Sequence, residues 1–439
     1  MNLIQALGQA IRIPELRRKL LFTLALLLAF RILASISVPG ANAQKLQELF
    51  ASNSLLGLLN LFSGGGLSTF SIAAMGMNPY INATIIMQLM TVVSLRLKEM
   101  SKEGEQGRKK ITRYTRWLTV ALAALQAYGY TVLFTSTGVL SSPSAGTVIS
   151  IMITLTAGSV ILMWLGELIT EYGVGNGVSL VIFAGIIGRL PGAVYSYASV
   201  GGTAHILTII VMGAVAITVT AFIIEVQQAQ RKIPIQSAQR VVNPRAGQAV
   251  QGRRSFLPLR VNAGGVIPII FAISIMAFPT IFANFFQNAG GVPGRMAVWI
   301  RDNWGPAGGP IFANLGYNAI EFLLVLGFTY FYTAVVFDPN DVADDFKKRS
   351  VYIPGIRPGK WTADYLGKVM GRITLAGALF LAVITVVLPW GASLITGSSS
   401  TTGLYLGGTA ILIVVGVALD TMQQIETQLL MRQYKGFIK

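Results

Sequence analysis

The chain contains Gly76-Met77-Asn78-Pro79-Tyr80-Ile81, and the pattern recurs as Gly265-Val266-Ile267-Pro268-Ile269-Ile270. Both stretches read G-x-x-P-x-I, and each opens a long apolar segment. Proline is well tolerated in the first turn of a helix, and glycine permits an unusual backbone conformation before it. We therefore predict that each stretch starts a helix directly after a break in the chain. Glycine and proline are common in membrane helices, so only the paired match favours an internal repeat.

The composition indicates a membrane protein. The 439 residues are 53% hydrophobic and only 12% charged, whereas soluble domains carry about 25% charged residues. A helix needs about 20 apolar residues to cross a bilayer. Ten stretches meet this requirement when a central glycine, proline or polar residue is tolerated: 20–39, 72–95, 117–136, 148–169, 178–197, 205–226, 264–284, 312–337, 371–390 and 404–424.

The basic residues are distributed unevenly between the two sides of the predicted bundle. Of 34 Lys and Arg residues, 28 fall in the two termini and in the loops after even-numbered spans, and Arg372 lies at the adjoining start of the ninth span. Cytoplasmic loops of membrane proteins are enriched in Lys and Arg, so both termini are predicted to be cytoplasmic. The long loops on this side, 96–116, 228–262 and 338–370, are expected to protrude as docking elements or partly ordered hairpins.

Ten spans divide into two halves of five that must have opposite orientations in the membrane. The predicted fold is therefore an all-α membrane protein of ten transmembrane helices in two inverted, pseudo-symmetric halves, 1–200 and 201–439. Irregular backbone at membrane depth is tolerated only where protein or water satisfies it. The two predicted helix breaks thus indicate an internal passage between the halves.

The side chains expected along this passage are apolar: Met77, Ile81, Val266 and Ile270. An apolar constriction blocks ions by excluding water. Aliphatic residues in membrane helices are more often plain core or lipid contacts, and periodicity alone favours that interpretation. A secondary transporter is the main alternative function, but it usually needs ionisable groups at mid-membrane, and Arg31 and Glu321 are the chief candidates inside the spans.

A short apolar run, Leu55 to Phe62, lies between the first two spans and precedes Ser63-Gly64-Gly65-Gly66. The run is too short to cross a bilayer. One interpretation is a half-helix that re-enters the protein and stops the passage. A helix lying flat among the lipid headgroups is the other, and the residues do not separate the two.

Most enzymatic chemistry is excluded by the residue inventory. The chain has no cysteine and one histidine, His205, so thiolate, iron–sulfur and HExxH-type metal sites are ruled out. It also lacks a G-x-x-x-x-G-K-[ST] phosphate-binding loop. We expect no cofactor, no metal and no enzyme activity, so a partner must supply any energy. Paired Pro-Gly turns around Arg357 in 353–359 would hold this arginine at a stiff loop tip for such a partner.

Several sequence blocks resemble the SecY family, which forms the central subunit of the bacterial protein-conducting channel. The similarity runs from the first span to the tenth. Its specific blocks are Asn60–Gly65, Met77–Asn82, Lys102–Lys110, Gly175–Ser179, Leu257–Asn262, Gly265–Pro268 and Gly355–Gly359.

The resemblance implies an hourglass channel in the bacterial cytoplasmic membrane, with a lateral gate of spans two and three against seven and eight. Its closing elements would be a plug at about 55–66, including Leu55, Leu58, Leu59, Leu61, Phe62, Gly64 and Gly65, and a pore ring of Met77, Ile81, Val178, Ile182, Val266, Ile270 and Ile413. The implied docking residues are Arg240, Arg245, Arg253, Arg254 and Arg357. The implied partners are SecE, SecG, the SecA ATPase motor, the ribosome, signal sequences, nascent polypeptide and membrane lipids.

Overall fold

The computed structural model describes thirteen stretches of the chain: 12–38, 42, 44–46, 60, 63–140, 144–200, 202–237, 241–242, 249–250, 254–286, 291–304, 315–396 and 408–436. The helices are α1 (Pro14–Ser35), α2 (Asn78–Val93), α3 (Leu95–Lys102), α4 (Glu105–Ser136), α5 (Ala145–Tyr172), α6 (Gly177–Val200), α7 (Gly202–Gln228), α8 (Ile267–Phe286), α9 (Val292–Asn303), α10 (Leu315–Val336), α11 (Pro339–Lys348), α12 (Lys360–Thr396) and α13 (Gly408–Gly436). The strands are β1 (Gln230–Ser237), β2 (Val241–Val242), β3 (Ala249–Val250), β4 (Arg254–Arg260) and β5 (Val351–Tyr352).

The two predicted helix breaks are present and have the same local geometry. Gly76 and Gly265 both adopt left-handed backbone, with φ of +56° and +60°, a region that costs an L-residue roughly 1–2 kcal/mol. α2 and α8 begin within two residues of these glycines. In each first turn an amide donates to a carbonyl four residues earlier, Ile81 to Met77 at 3.0 Å and Ile270 to Val266 at 3.2 Å. The repeated sequence therefore produces a repeated structure.

The described helices are those of a multi-pass membrane protein. Six of them are long and apolar enough to cross a bilayer, and the count rises to seven if α2 and α3, bent by 101°, form one span. Shorter apolar helices occupy Gly177–Gly192 and Ile267–Pro279. A described helix overlaps each of the ten predicted stretches.

Several predicted boundaries are wrong. The stretch 96–116 was predicted as a loop, yet α3 and the start of α4 make most of it helical. Charged residues are compatible with helix wherever they are solvated, and Lys109 forms an exposed ion pair with Glu105 one turn earlier, at 2.8 Å. α12 likewise begins eleven residues before the predicted 371. The length of an apolar stretch indicates how much of a helix lies inside the bilayer, and the helix itself can continue beyond the bilayer.

The core lies between the two predicted halves. Its largest cluster of buried apolar side chains combines residues of α1, α2, α5 and α6 from the first half with residues of α7, α8, α10, α12 and α13 from the second. α8 packs against α2 and α4 on one side and against α10 on the other. These contacts close the seam between the halves along α8.

A small sheet outside the helical bundle joins two of the long loops. β1 pairs with β4 in antiparallel register, with Ile233 opposite Leu257, and its other edge pairs with β5. Ile233, Leu259, Ile353, Leu366 and Met370 form a separate buried cluster beneath it. The loops 228–262 and 338–370, predicted as separate elements, therefore form one folded unit, and we call the end of the bundle that carries it the basic end.

Candidate functional site

All seven predicted ring residues meet in the central apolar cluster. Met77, Ile81, Ile182, Val266, Ile270 and Ile413 are buried to within 6% exposure, and Val178 packs against them half-buried. They come from four helices or the turns that precede them: α2, α6, α8 and α13. The predicted ring thus combines apolar side chains from both predicted halves in one buried cluster.

Glycines on the neighbouring helices make room for this cluster. A Cβ atom added to Gly166 of α5 would lie 3.3 Å from Met77 Cε and 3.5 Å from Val178 Cγ2. One added to Gly416 of α13 would overlap Val266 Cγ1. Glycine at these two positions lets α5 and α13 approach Met77, Val178 and Val266 closely.

A polar cavity of about 470 Å³ lies beside the cluster toward the basic end. Val266 and Val417 form part of its wall, and the rest is mostly polar: Asn176, Ser179, Arg260, Asp420, Thr421, Gln423, Gln424, Thr427 and Gln428. Arg260 and Asp420 face each other at 3.9 Å with both side chains about half exposed, so their attraction is weak. The cavity offers amide and hydroxyl groups next to an apolar constriction.

This cavity is not among the sites predicted from the sequence. Its strongest sequence signal is Gln423, Gln424, Thr427 and Gln428, which recur at helical spacing on α13. A second signal is the glycine-rich turn Gly173–Gly177. In the structure the Gly175 amide donates to Gln424 Oε1 at 3.1 Å, which fixes this turn at the cavity wall.

Residues 63–70 occupy the opposite side of the cluster, at the other end of the bundle. Gly64 and Gly65 both have positive φ, +67° and +94°, and Ser63 is fully buried. The Gly65 amide donates to the Asn60 carbonyl at 2.9 Å, and the Ser68 amide donates to Asn60 Oδ1 at 2.9 Å. The other predicted plug residues, Leu55, Leu58, Leu59, Leu61 and Phe62, lie outside the described residues.

Of the five predicted docking arginines, the structure describes two. Arg357 is exposed in the turn between β5 and α12, where Gly355 and Gly359 adopt φ of +83° and +93° and Thr362 Oγ1 donates to the Arg357 carbonyl at 2.9 Å. Arg254 pairs with Gln236 at the start of β4. The others, Arg240, Arg245 and Arg253, lie outside the described residues.

The charged residues inside the predicted spans have distinct environments. Arg31 on α1 donates to the Gly64 carbonyl at 3.0 Å and to the Gly188 carbonyl at 3.2 Å. Glu321 is buried on α10. The seven predicted ring residues are all apolar, and the charged pair Arg260 and Asp420 lines the cavity that Val266 borders.

Solved structures with the same fold are protein-conducting channels. One described as "The structure of a protein conducting channel" aligns with a TM-score of 0.64 at 18% identity, covering 93% of this chain and 91% of that one. A SecY structure concerned with the plug domain gives 0.63 at 19% identity over the same shares. Sec61 in the canine ribosome-channel complex gives 0.60 at 18% identity, again over 93% and 91%.

Sequence relatives identify the family. The SecY family model matches residues 71–422. The chain is 43% identical to the protein translocase subunit SecY of Halalkalibacterium halodurans and 41% identical to that of Streptomyces galbus, with both chains covered in full in each case. These proteins are channel subunits and not enzymes. The chain belongs to the SecY family of protein translocase subunits.

Proposed function

We propose that this chain is the central channel subunit through which unfolded preproteins cross the bacterial cytoplasmic membrane. Hydrophobic segments would leave the same channel sideways into the lipid. The observation that supports the proposal is that seven apolar side chains from both predicted halves share one buried cluster, with a polar cavity bordering Val266. An extended polypeptide would pass through the centre of this ring.

An apolar ring is suited to a channel that must admit polypeptides of many different sequences and still block ions. Aliphatic side chains and methionine adapt to different shapes without requiring a specific hydrogen-bond partner. When no chain is present they exclude water, and a dry apolar constriction blocks ions. The polar wall beside it, including Gln424 and Thr421, offers hydrogen bonds to a backbone entering from the basic end.

The proposed orientation places both termini and the basic end in the cytoplasm, because 29 of the 34 Lys and Arg residues lie on that side. Residues 55–66 would then be the plug on the outer side. The plug domain of a structurally similar SecY is described as stabilising the closed channel, which supports this assignment. We propose the two halves, 1–200 and 201–439, as the units that separate when the channel opens.

The partners proposed for the channel divide by location. SecE and SecG would complete the complex within the membrane. The SecA motor and the ribosome would dock on the sheet of β1, β4 and β5 with its arginines, including Arg357. Sec61, similar in fold, is described in a ribosome-channel complex, which supports a ribosome partner. Guanidinium groups bind carboxylates and phosphates with two parallel hydrogen bonds, so both partners are chemically suitable.

The lateral gate is proposed at the seam where α8 meets α2 and α4. These helices are in contact, and separating them would expose the centre of the bundle to lipid. A secondary transporter is the alternative function. The family match and the similarity in fold to protein-conducting channels favour the channel.

A trapped translocation intermediate tests the proposal. A preprotein with a folded carboxyl-terminal domain and a photoreactive residue in its extended part would be arrested in proteoliposomes that contain the purified channel complex and motor. We expect crosslinks to α2 and α8 near Ile81 and Ile270. Crosslinks confined to the outward-facing Ile153 or Ile217, which are 64% and 73% exposed, would contradict a central passage.

A further inference from the structure

Two arginines donate hydrogen bonds to residues 64–68. Arg31 of α1 donates from Nη1 to the Gly64 carbonyl at 3.0 Å and from Nη2 to the Gly188 carbonyl of α6 at 3.2 Å. Arg189, the next residue on α6, donates from Nη2 to Ser68 Oγ at 3.4 Å. We call Arg31 and Arg189 the arginine pair.

The arginine pair has no acidic partner among the described residues. The ion pairs there involve other side chains, and both guanidinium groups are half-buried. The two positive charges repel each other. The hydrogen bonds to the Gly64 and Gly188 carbonyls and to the Ser68 hydroxyl keep the guanidinium groups in position. Hydrogen bonds from a charged donor are roughly twice as strong as neutral ones. Losing the contacts to residues 64–68 would leave two poorly solvated cations side by side.

Glycines shape the backbone around both guanidinium groups. A Cβ atom on Gly188 would lie 2.5 Å from Arg31 Cζ, and one on Gly65 would lie 3.2 Å from Arg189 Nε. Gly64 has a positive φ, and its Cβ would lie 2.8 Å from Phe30 Cζ and 3.0 Å from Gly185 Cα. The packing of the two arginines against residues 64–68 therefore requires glycine at positions 64, 65 and 188, where a larger side chain would crowd Phe30 or an arginine.

Hydrogen bonds also tie the residues that follow this segment to the first half of the chain. The Val38 amide donates to the Phe70 carbonyl at 2.8 Å, the Ile72 amide donates to the Ile36 carbonyl at 3.0 Å, and Thr69 Oγ1 donates to the Ala34 carbonyl at 3.4 Å. Leu67 and Phe70 also belong to the apolar cluster that contains Met276 of α8. Directional hydrogen bonds therefore connect residues 64–72 to the first half.

We propose that the arginine pair positions the carboxyl-terminal end of the plug, residues 64–68, on α1 and α6. Residues 64–68 are then released from α1 and α6 only after the guanidinium contacts break. The inference rests on the proposed channel function and on the plug at 55–66. It gives Arg31 and Arg189 the role of positioning residues that hold the channel closed.

The native chain lacks cysteine, so a single introduced thiol reports on this segment without background. Ser63 is fully buried, and Ser63→Cys would react slowly with a membrane-impermeant maleimide added to spheroplasts. We expect Arg31→Gln and Arg189→Gln each to raise the labelling rate roughly tenfold or more, the order expected for loss of one charge-assisted hydrogen bond. Arg295→Gln removes an exposed charge on α9 and serves as the matched control, with no change expected.

Two further variants separate positioning from general loss of structure. Gly188→Ala keeps both arginines but displaces Arg31, and it should also raise labelling. Arg31→Lys keeps the charge but loses the planar fork that reaches two carbonyls, so its labelling should fall between wild type and Arg31→Gln. Detergent-extracted complexes should melt within a few degrees of one another, which would show that the fold is retained.

The outcome distinguishes this inference from the channel function itself. Labelling in all arginine and Gly188 variants at the rate of the Arg295→Gln control would overturn the role of the arginine pair. The channel function would still stand if serine substitutions at Ile81, Ile182 and Ile270 produce an ion leak in the same membranes. Absence of that leak would contradict the proposed channel function instead.

Discussion

The ring makes a quantitative prediction about ion leakage. Ile81, Ile182 and Ile270 come from α2, α6 and α8, and none is more than 6% exposed. Burying one isoleucine side chain stabilises a structure by roughly 1.5–3 kcal/mol relative to exposing it to water. Hydrating all three positions therefore costs roughly 5–9 kcal/mol. At about 1.4 kcal/mol per factor of ten, the wet, conducting state is disfavoured by on the order of 10³–10⁶.

Replacing all three residues with serine removes most of this cost, because the hydroxyl groups bind water and the lost carbons leave space for it. We expect the ion leak of the purified complex in planar bilayers to rise by about 10³-fold or more. The variant Ile81→Val, Ile182→Val, Ile270→Val keeps the ring apolar and should leak far less than the serine variant.

The matched control replaces three outward-facing isoleucines, Ile153, Ile210 and Ile217, which are 63–73% exposed. Their serine variant has the same chemistry but should leave conductance at the wild-type level. Equal conductance in wild type, ring variant and control would refute the assignment of the seal. Equal leakage in ring variant and control would mean that serine disturbs the bundle generally, and the ring argument would fail as well.

Three other predictions concern the gate, the docking surface and the breaks. A signal sequence with a photoreactive residue should crosslink to α2 and α8, and labelling limited to the outer loops would reject the lateral gate. Arg357→Glu should block motor-driven translocation in proteoliposomes while the complex still co-purifies, and normal transport would exclude its docking role. Gly265→Ala should destabilise the protein by roughly 1–2 kcal/mol in thermal melts, because Gly265 has a positive φ. The control Gly371→Ala should be neutral or stabilising, because there is open space where its Cβ would lie. Similar melting temperatures for the two variants would contradict the strain argument.

Much of the fold was predictable because it depends on local properties of the chain. The length of each apolar stretch indicates where the long helices lie. The pattern around Gly76 and Gly265 predicts both helix breaks and the glycines that permit them. The four ring residues next to these breaks follow from the same repeat. The other three, Val178, Ile182 and Ile413, have no local signal that separates them from ordinary core residues, and they were assigned through the family resemblance.

Helix boundaries and loop pairing were not predictable in the same way. The charged start of α4 is helical although it is too polar for the bilayer, because backbone hydrogen bonds do not require an apolar environment. The pairing of β1 with β5 joins residues more than one hundred positions apart. Whether these two strands lie side by side depends on how the helices between them pack, which no local sequence pattern specifies.

The sequence by itself determined that this is a multi-pass membrane protein, and it predicted two related halves, a basic side and an apolar passage. These follow from composition, periodicity and charge, which act residue by residue. Only the tertiary structure decided which side chains meet. It brought Arg31 and Arg189 from separate helices onto Gly64 and Ser68, because a buried guanidinium group must satisfy its donors with whatever carbonyls the packed helices provide.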